Sequence, residues 1–283
     1  MTNAAEGPPP PIRITDPDDE RIALFHAIKE RDRIGRDGVL IAEGATVLNV
    51  LVRSNLETIA FLIDEKRAPT LGALSARGTA PLYVASQDVL DRIAGFHLHR
   101  GILAAARIPR PHSLDLLPDG PLRLPVLVGL SNHDNVGGIY RNAAAFGAAA
   151  VAIDSGTASP FYRKAIRVGV GAPLVMPTIP FDDPHHLIGA LHARGIAVLT
   201  LSPGAAGGLQ DAPLPERAAF VFGTEGPGLP DALIAAATPL AIKIASGFDS
   251  LNVAATSAIV LHAHALAHGI SIRFPKRSSS SAG

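Results

Sequence analysis

Cysteine and tryptophan are both absent from the 283-residue chain, which has only three tyrosines and two methionines. Without cysteine there is no disulfide framework, no thiolate metal site and no cysteine nucleophile. Aromatic residues make up 5% of the chain, while alanine and glycine are abundant. That balance favours helices packed closely on sheets over an aromatic-rich recognition surface. An excess of either charge is also missing, with 25 Lys and Arg against 25 Asp and Glu. A nucleic-acid binder often carries a strong positive balance, so net charge alone does not point to one. No apolar run is long enough to span a bilayer; the longest, near Ile259, is interrupted by His262, His264 and His268. The N-terminus lacks the charged stretch and following apolar stretch of a secretory signal. A soluble, cytoplasmic protein that does not engage a membrane is expected.

What is present is a chain long enough for two domains, 47% hydrophobic, which can fill a substantial core. The charge is patchy. Residues Arg92 to Ser113 hold four Arg and three His with no acid, and Arg163, Lys164 and Arg167 form a second acid-free stretch. Each can track phosphates or form an ordinary solvated face.

Residues 1–11 are small, polar and Pro-rich and are expected to be disordered, as is the Ser-rich tail 271–283. Residues 12–107 read as a small α/β domain. Its helices are expected over 18–31, 44–53 and 86–93, the last with Ser86 as N-cap, and its strands over 39–42, 58–63, 81–84 and 101–106. The Pro-rich stretch 108–123 reads as a linker. Residues 124–270 alternate strands at 125–130, 149–153, 174–177, 196–201, 218–222 and 240–244 with helices at 138–146, 159–168, 184–194, 230–237 and 252–268. This is a parallel α/β pattern, in which ligands bind in loops beyond the carboxyl ends of strands.

Three such loops carry chemistry. The first, Ser131 to Arg141, has Gly137 and Gly138 for close backbone approach, Asn135 to hold a tight turn, and Arg141 one turn into the next helix, where its planar fork suits a phosphate. A plain turn followed by a surface Arg fits the same residues. The second, Phe222 to Leu229, has three glycines around Glu225. It matches neither a Walker loop nor GxGxxG, and its carboxylate suits a hydroxyl-bearing or cationic ligand. In the third, Ile242 to Val253, Ser250 or Asn252 can cap the closing helix. The histidines at 262, 264 and 268 do not make H-E-x-x-H, because Ala265 stands where the Glu would be; solvated helix positions are expected and no metal site.

Taken together, the loops resemble the SpoU (TrmH-like) family of RNA ribose methyltransferases, in the SPOUT superfamily. The residues that carry the likeness are Asn135, Gly137, Ile139, Arg141, Ala143, Ala145, Phe146 and Gly147 in the first loop and its helix, Gly223 to Leu229 in the second, and Ser250 to Val253 in the third. Lys243, Thr224 and Ala254-Ala255 depart from the family's usual residues. Residues 37–107 resemble, more loosely, the L30e-like substrate-binding domain that often precedes this fold. The resemblance implies a Rossmann-like parallel sheet with a C-terminal trefoil knot, S-adenosylmethionine as cofactor held near Gly223, Ile242 and Leu251, and methyl transfer to a ribose 2′-hydroxyl without a metal. It nominates Arg141, with Asn135, Glu225, Ser250 and Asn252 shaping the site. It implies a homodimer acting on RNA, ribosomal ahead of transfer RNA given the extra N-terminal domain. The alternatives from the residues alone are a non-catalytic RNA-binding protein of this fold, or a nucleotide-binding α/β enzyme.

Overall fold

The computed structural model describes residues 9–26, 38–72, 74, 78–205, 207–211, 214–224, 226, 228–247 and 249–269. Glu225, both chain termini and the second half of the helix expected over 18–31 lie outside them. The first half of that helix is a 3-10 helix, Glu20–Phe25, whose Ile22 and Phe25 are buried.

The N-terminal sheet contains β1 (Ile12–Arg13), β2 (Val39–Glu43), β3 (Thr58–Asp64), β4 (Leu82–Ala85) and β5 (Ile102–Arg107), in the order β1-β4-β3-β5-β2. β5 runs antiparallel to both β2 and β3, and the other pairs are parallel. Helices α1 (Ala45–Leu51) and α2 (Gln87–Ala94) cover it. Ser86 stands at the expected cap position of α2, but its side chain makes no capping hydrogen bond.

The C-terminal sheet is wholly parallel. It contains β6 (Leu122–Leu127), β7 (Val151–Asp154), β8 (Thr178–Phe181), β9 (Ala197–Leu201), β10 (Arg217–Phe222) and β11 (Thr238–Leu240), in the order β11-β9-β10-β6-β7-β8. Helices α3 (His133–Ala145), α4 (Arg163–Val168), α5 (Pro184–His192), α6 (Asp231–Ala235) and α7 (Val253–His268) lie on its faces. Two buried clusters, one on each face, fill the layers, as a parallel sheet requires.

Several boundaries differ from the sequence reading. The apolar run 174–177 is not a strand: Ala172–Leu174 is a 3-10 turn and the strand begins at Thr178. Pro180 fits there because β8 is an edge strand, where one neighbour's ladder is absent. Likewise the last strand ends at Leu240, and residues 242–244 leave the sheet. The largest change is in α3, which begins at His133, five residues before the expected start, with the Asn132 side chain accepting from Asp134 N.

The two domains share a core. Ile166 and Leu174 pack in one buried cluster with Val47, Leu48 and Leu51. Beside it Glu43, 4% exposed, pairs with Arg163 and, at 3.7 Å, with Arg167. Phe96 lies under the Arg163 guanidinium, 5.0 Å from ring centre to charge.

Candidate active site

The carboxyl ends of β9, β10 and β11 open onto a cavity of about 380 Å³, within the range of small-molecule sites. It is lined by residues of three segments: Phe222, Gly223, Thr224, Gly226 and Gly228 after β10, Leu240, Ile242 and Ile244 after β11, and Ser250 to Val253 at the start of α7. Thus Gly223, Ile242, Leu251, Ser250 and Asn252 meet at one cavity. Leu201, Ile242, Ile244 and Leu251 give it apolar walls, and the polar groups are backbone, Ser202, Thr224, Ser250, Asn252 and Thr256. Such a site fits a flat aromatic group with a hydroxylated ring better than a bare phosphate, because no cation of the described residues lines it.

The loop after β10 is folded back on itself. Thr224 and Gly228 form an antiparallel bridge, and Thr224 Oγ1 donates to the Gly228 carbonyl over 3.1 Å. Gly223 is required by this doubling: a Cβ there would lie 2.7 Å from both the Gly228 carbonyl carbon and the Leu229 nitrogen. The segment after β11 is fastened differently. Ala241 N donates to Gly207 O, Leu209 N donates to Ala241 O, and Lys243 pairs with Asp211 at 3.1 Å.

Asn252 is the N-cap of α7, its side chain accepting from Ala254 N and Ala255 N. Its Nδ2 also donates to Asn135 Oδ1 over 2.9 Å. Asn135 is 5% exposed within the first turn of α3. Of the two capping candidates, then, Asn252 does the capping and joins the first motif to the third, while Ser250 faces the cavity.

The tight turn expected at Asn135 does not form, and Gly137 and Gly138 are helical with it. Each is a point of contact between helices. A Cβ at Gly137 would fall 2.5 Å from the Ala165 carbonyl oxygen of α4, and one at Gly138 would fall 2.9 Å from the Ala254 Cβ of α7. Asn142 continues the second seam, donating to Ala254 O and Ser257 Oγ.

Arg141 is exposed and lines a different space, a cleft between α1, the 108–112 linker, α3 and the 169–178 segment. It stands six residues beyond Asn135, about 9 Å along the helix. The Arg92–Arg110 stretch is also divided. Arg100 packs over Gly44 near the Glu43 end of β2, whereas Arg107 pairs with Val39 at the opposite end. Arg110 lines the same cleft as Arg141.

Sequence reasoning missed three residues. Asp154, at the end of β7, accepts from Gly129 N at 3.0 and 3.1 Å and from Thr157 Oγ1 at 2.6 Å, which fixes the loop beside Thr224. Arg123, 3% exposed in β6, donates to His264 Nδ1, to Phe146 O and to Gly269 O. His264 is fully buried, not solvated as expected, and its Nε2 donates to Pro215 O over 2.9 Å. Burial first, and then the Arg123 charge, pull its pKa down to about 4, so the ring is neutral and structural. Of the other two histidines, His262 is exposed and His268 bonds Leu214 O. No group of side chains suited to a metal occurs among the described residues. The one legible signal for this lock was an Arg set between apolar strand residues.

A model of the SpoU rRNA methylase family matches residues 123–262, from β6 into α7. A tRNA/rRNA methyltransferase of Mycobacterium tuberculosis, itself uncharacterized, is 36% identical over 88% of this chain and 90% of its own length. The chain belongs to the SpoU family. This SpoU protein is accordingly an RNA methyltransferase. It is also 30% identical, over 84% of its length and 93% of the relative's, to a 23S rRNA (guanosine-2′-O-)-methyltransferase of Photobacterium profundum. An AdoMet-bound rRNA methyltransferase of Sinorhizobium meliloti shares the fold, with a TM-score of 0.78 at 20% identity, covering 92% of this chain and 99% of that one.

Proposed function

We propose that this SpoU protein transfers a methyl group from S-adenosylmethionine to a ribose 2′-hydroxyl, with ribosomal RNA as the substrate. The observation that carries the reading is the convergence of Gly223, Ile242 and Leu251 on one cavity with apolar walls and no lining cation among the described residues. The donor-set chemistry fits: apolar faces from Leu201, Ile242 and Leu251 suit an adenine, and backbone groups and hydroxyls suit a ribose. The named substrate of the Photobacterium relative supports the choice of acceptor and of ribosomal RNA.

When bound, the cofactor supplies an electrophilic methyl on a sulfonium, so the leaving group is neutral and no metal is needed. The protein's part is orientation, which can supply several kcal/mol. The Asn135–Asn252 hydrogen bond fixes the start of α7 against α3 and so sets the cavity wall. Ser250 is assigned to the acceptor side, as is Glu225, which lies outside the described residues. A guanidinium has a pKa above about 12, so Arg141 is assigned the role of phosphate clamp and electrostatic support for the developing alkoxide, not that of base. Residues 12–107 serve as the RNA-binding domain. The segment after β11, laced to 207–211, is read as part of a trefoil knot. The exposed Ile259 and Leu266 on one face of α7 are read as a homodimer contact.

The test is incubation with radiolabelled S-adenosylmethionine and ribosomal RNA, followed by alkaline hydrolysis. A 2′-O-methyl group removes the internal nucleophile, so the label should appear in alkali-resistant dinucleotides. Label in mononucleotides would mean base methylation and overturn the reading. Light scattering at micromolar concentration should give twice the monomer mass.

A further inference from the structure

The cleft that holds Arg141 is larger than the cofactor cavity, about 1180 Å³, and nothing in the methyl-transfer reading accounts for its form. Its cationic groups come from three separate elements: Arg53 follows α1, Arg110 lies in the linker and Arg141 is in α3. All three are exposed, and none has an ion pair or side-chain hydrogen bond among the described residues. No carboxylate of the described residues lines the cleft. Uncompensated guanidiniums converging from three elements mark a site for a polyanion, since each offers a fork suited to phosphate.

The floor between them has other chemistry. It is mainly apolar, formed by Ile108, Phe161, Ile153 and Val175, with the side-chain amides of Asn49 and Asn55 at the rim. A duplex presents phosphates on a convex surface and hides its base faces. Unpaired nucleotides expose apolar base faces together with donor and acceptor edges, which aromatic and amide side chains read. The exposed His112 offers one such ring, and its backbone N donates to Thr178 O over 2.9 Å, fastening the linker against β8 as a wall.

We infer that this interdomain cleft binds a single-stranded segment of the RNA substrate, with phosphates on Arg53, Arg110 and Arg141 and bases on the apolar floor. The inference rests on the RNA reading above and makes the cleft its specificity-determining part. It gives the linker a recognition role and places the strand leading to the reacting ribose along α3.

The experiment uses the full chain and a fluorescent single-stranded RNA oligonucleotide, compared with a duplex of the same sequence, between 50 and 200 mM salt. Arg53→Gln and Arg110→Gln should each weaken single-strand binding about tenfold, and each should lower the slope of log K against log salt by about 0.7. Arg53→Lys should keep the slope, because the charge remains. S-adenosylmethionine binding should not change in any variant. An unchanged slope in both Gln variants would overturn the inference, as would an equal loss for single strand and duplex. A change in oligomeric mass would also overturn it, because a second copy would then cover the cleft. If the wild type binds the oligonucleotide with the Arg-dependent slope but methylates no RNA, the cleft stands and the methyl-transfer reading falls.

Discussion

The two concavities of this SpoU protein are built on opposite principles. The cavity after β9, β10 and β11 is made of backbone bent by glycine, hydroxyls and aliphatic walls, with every shaping segment fastened to another. The interdomain cleft sets three guanidiniums, without partners among the described residues, around a mainly apolar floor. The first is preorganised for one small molecule. The second presents solvated charge, which is assigned above to phosphate. Helix α3 serves both: Asn135 in its first turn is bonded to Asn252 of the cavity wall, and Arg141 further along faces the cleft.

The strongest test of that division is Arg141→Ala. We expect a loss of methyl transfer of about a thousandfold, of the size seen when an electrostatic donor is removed, with S-adenosylmethionine affinity unchanged by calorimetry. Arg141→Lys should fail almost as badly, because an ammonium cannot reproduce the fork. Loss of cofactor binding in Arg141→Ala would erase the distinction between the two spaces.

Next comes acid. The folded-state pKa of His264 is depressed from 6.5 to about 4, so the unfolded chain takes up the proton first as pH falls. Stability from the neutral ring is therefore complete above about pH 6.5 and is lost as pH drops from there to about 4. A shift of that size corresponds to about 3 kcal/mol. Because His264 anchors α7, whose first residues line the cavity, cofactor binding should weaken in this window before RNA binding does. Denaturant melts from pH 4 to 8 give the slope, and His264→Gln should flatten it.

Gly223→Ala should cost about 2 kcal/mol in cofactor affinity, the scale of overpacking a tight site, through the clash with Gly228 and Leu229. RNA binding should be unaffected. The smallest effect is expected at the domain boundary. Glu43→Gln leaves Arg163 and Arg167 without their carboxylate and should lower the melting temperature by a few degrees, with both binding constants close to wild type.

Much of this was legible in the sequence, but unevenly. The alternation of strands and helices, and the three loops at carboxyl ends, follow from apolar runs and glycine placement. The start of α3 did not, because Asn135, Gly137 and Gly138 look like a turn when read locally. Their glycines serve the approach of α4 and α7, a tertiary demand that overrides low helix propensity. The strand expected at 174–177 failed for a similar reason: its apolar residues fill a shared interdomain core from a 3-10 turn. In the site, motif residues identified the cavity, whereas the division of Arg92–Arg110 between two ends of β5 needs the antiparallel register. Seven residues of extended chain separate Arg100 from Arg107 by about 20 Å, which no local pattern reveals. His264 shows the same limit, since its partner lies 141 positions earlier.

That last pairing bears on how the protein is made. Arg123 stands in the first strand of the C-terminal sheet, and two of its three acceptors come as late as His264 and Gly269. While the nascent chain is still leaving the ribosome, this guanidinium has Phe146 O but lacks His264 and Gly269, and the C-terminal half stays open. The N-terminal sheet is complete once Arg107 has emerged. Domains tend to fold as units in the order of synthesis, and contacts distant in sequence form slowly. A paired N-terminal sheet would therefore be waiting during translation for Ile166 and Leu174 to complete its core, and the buried histidine would be among the last groups to find its place.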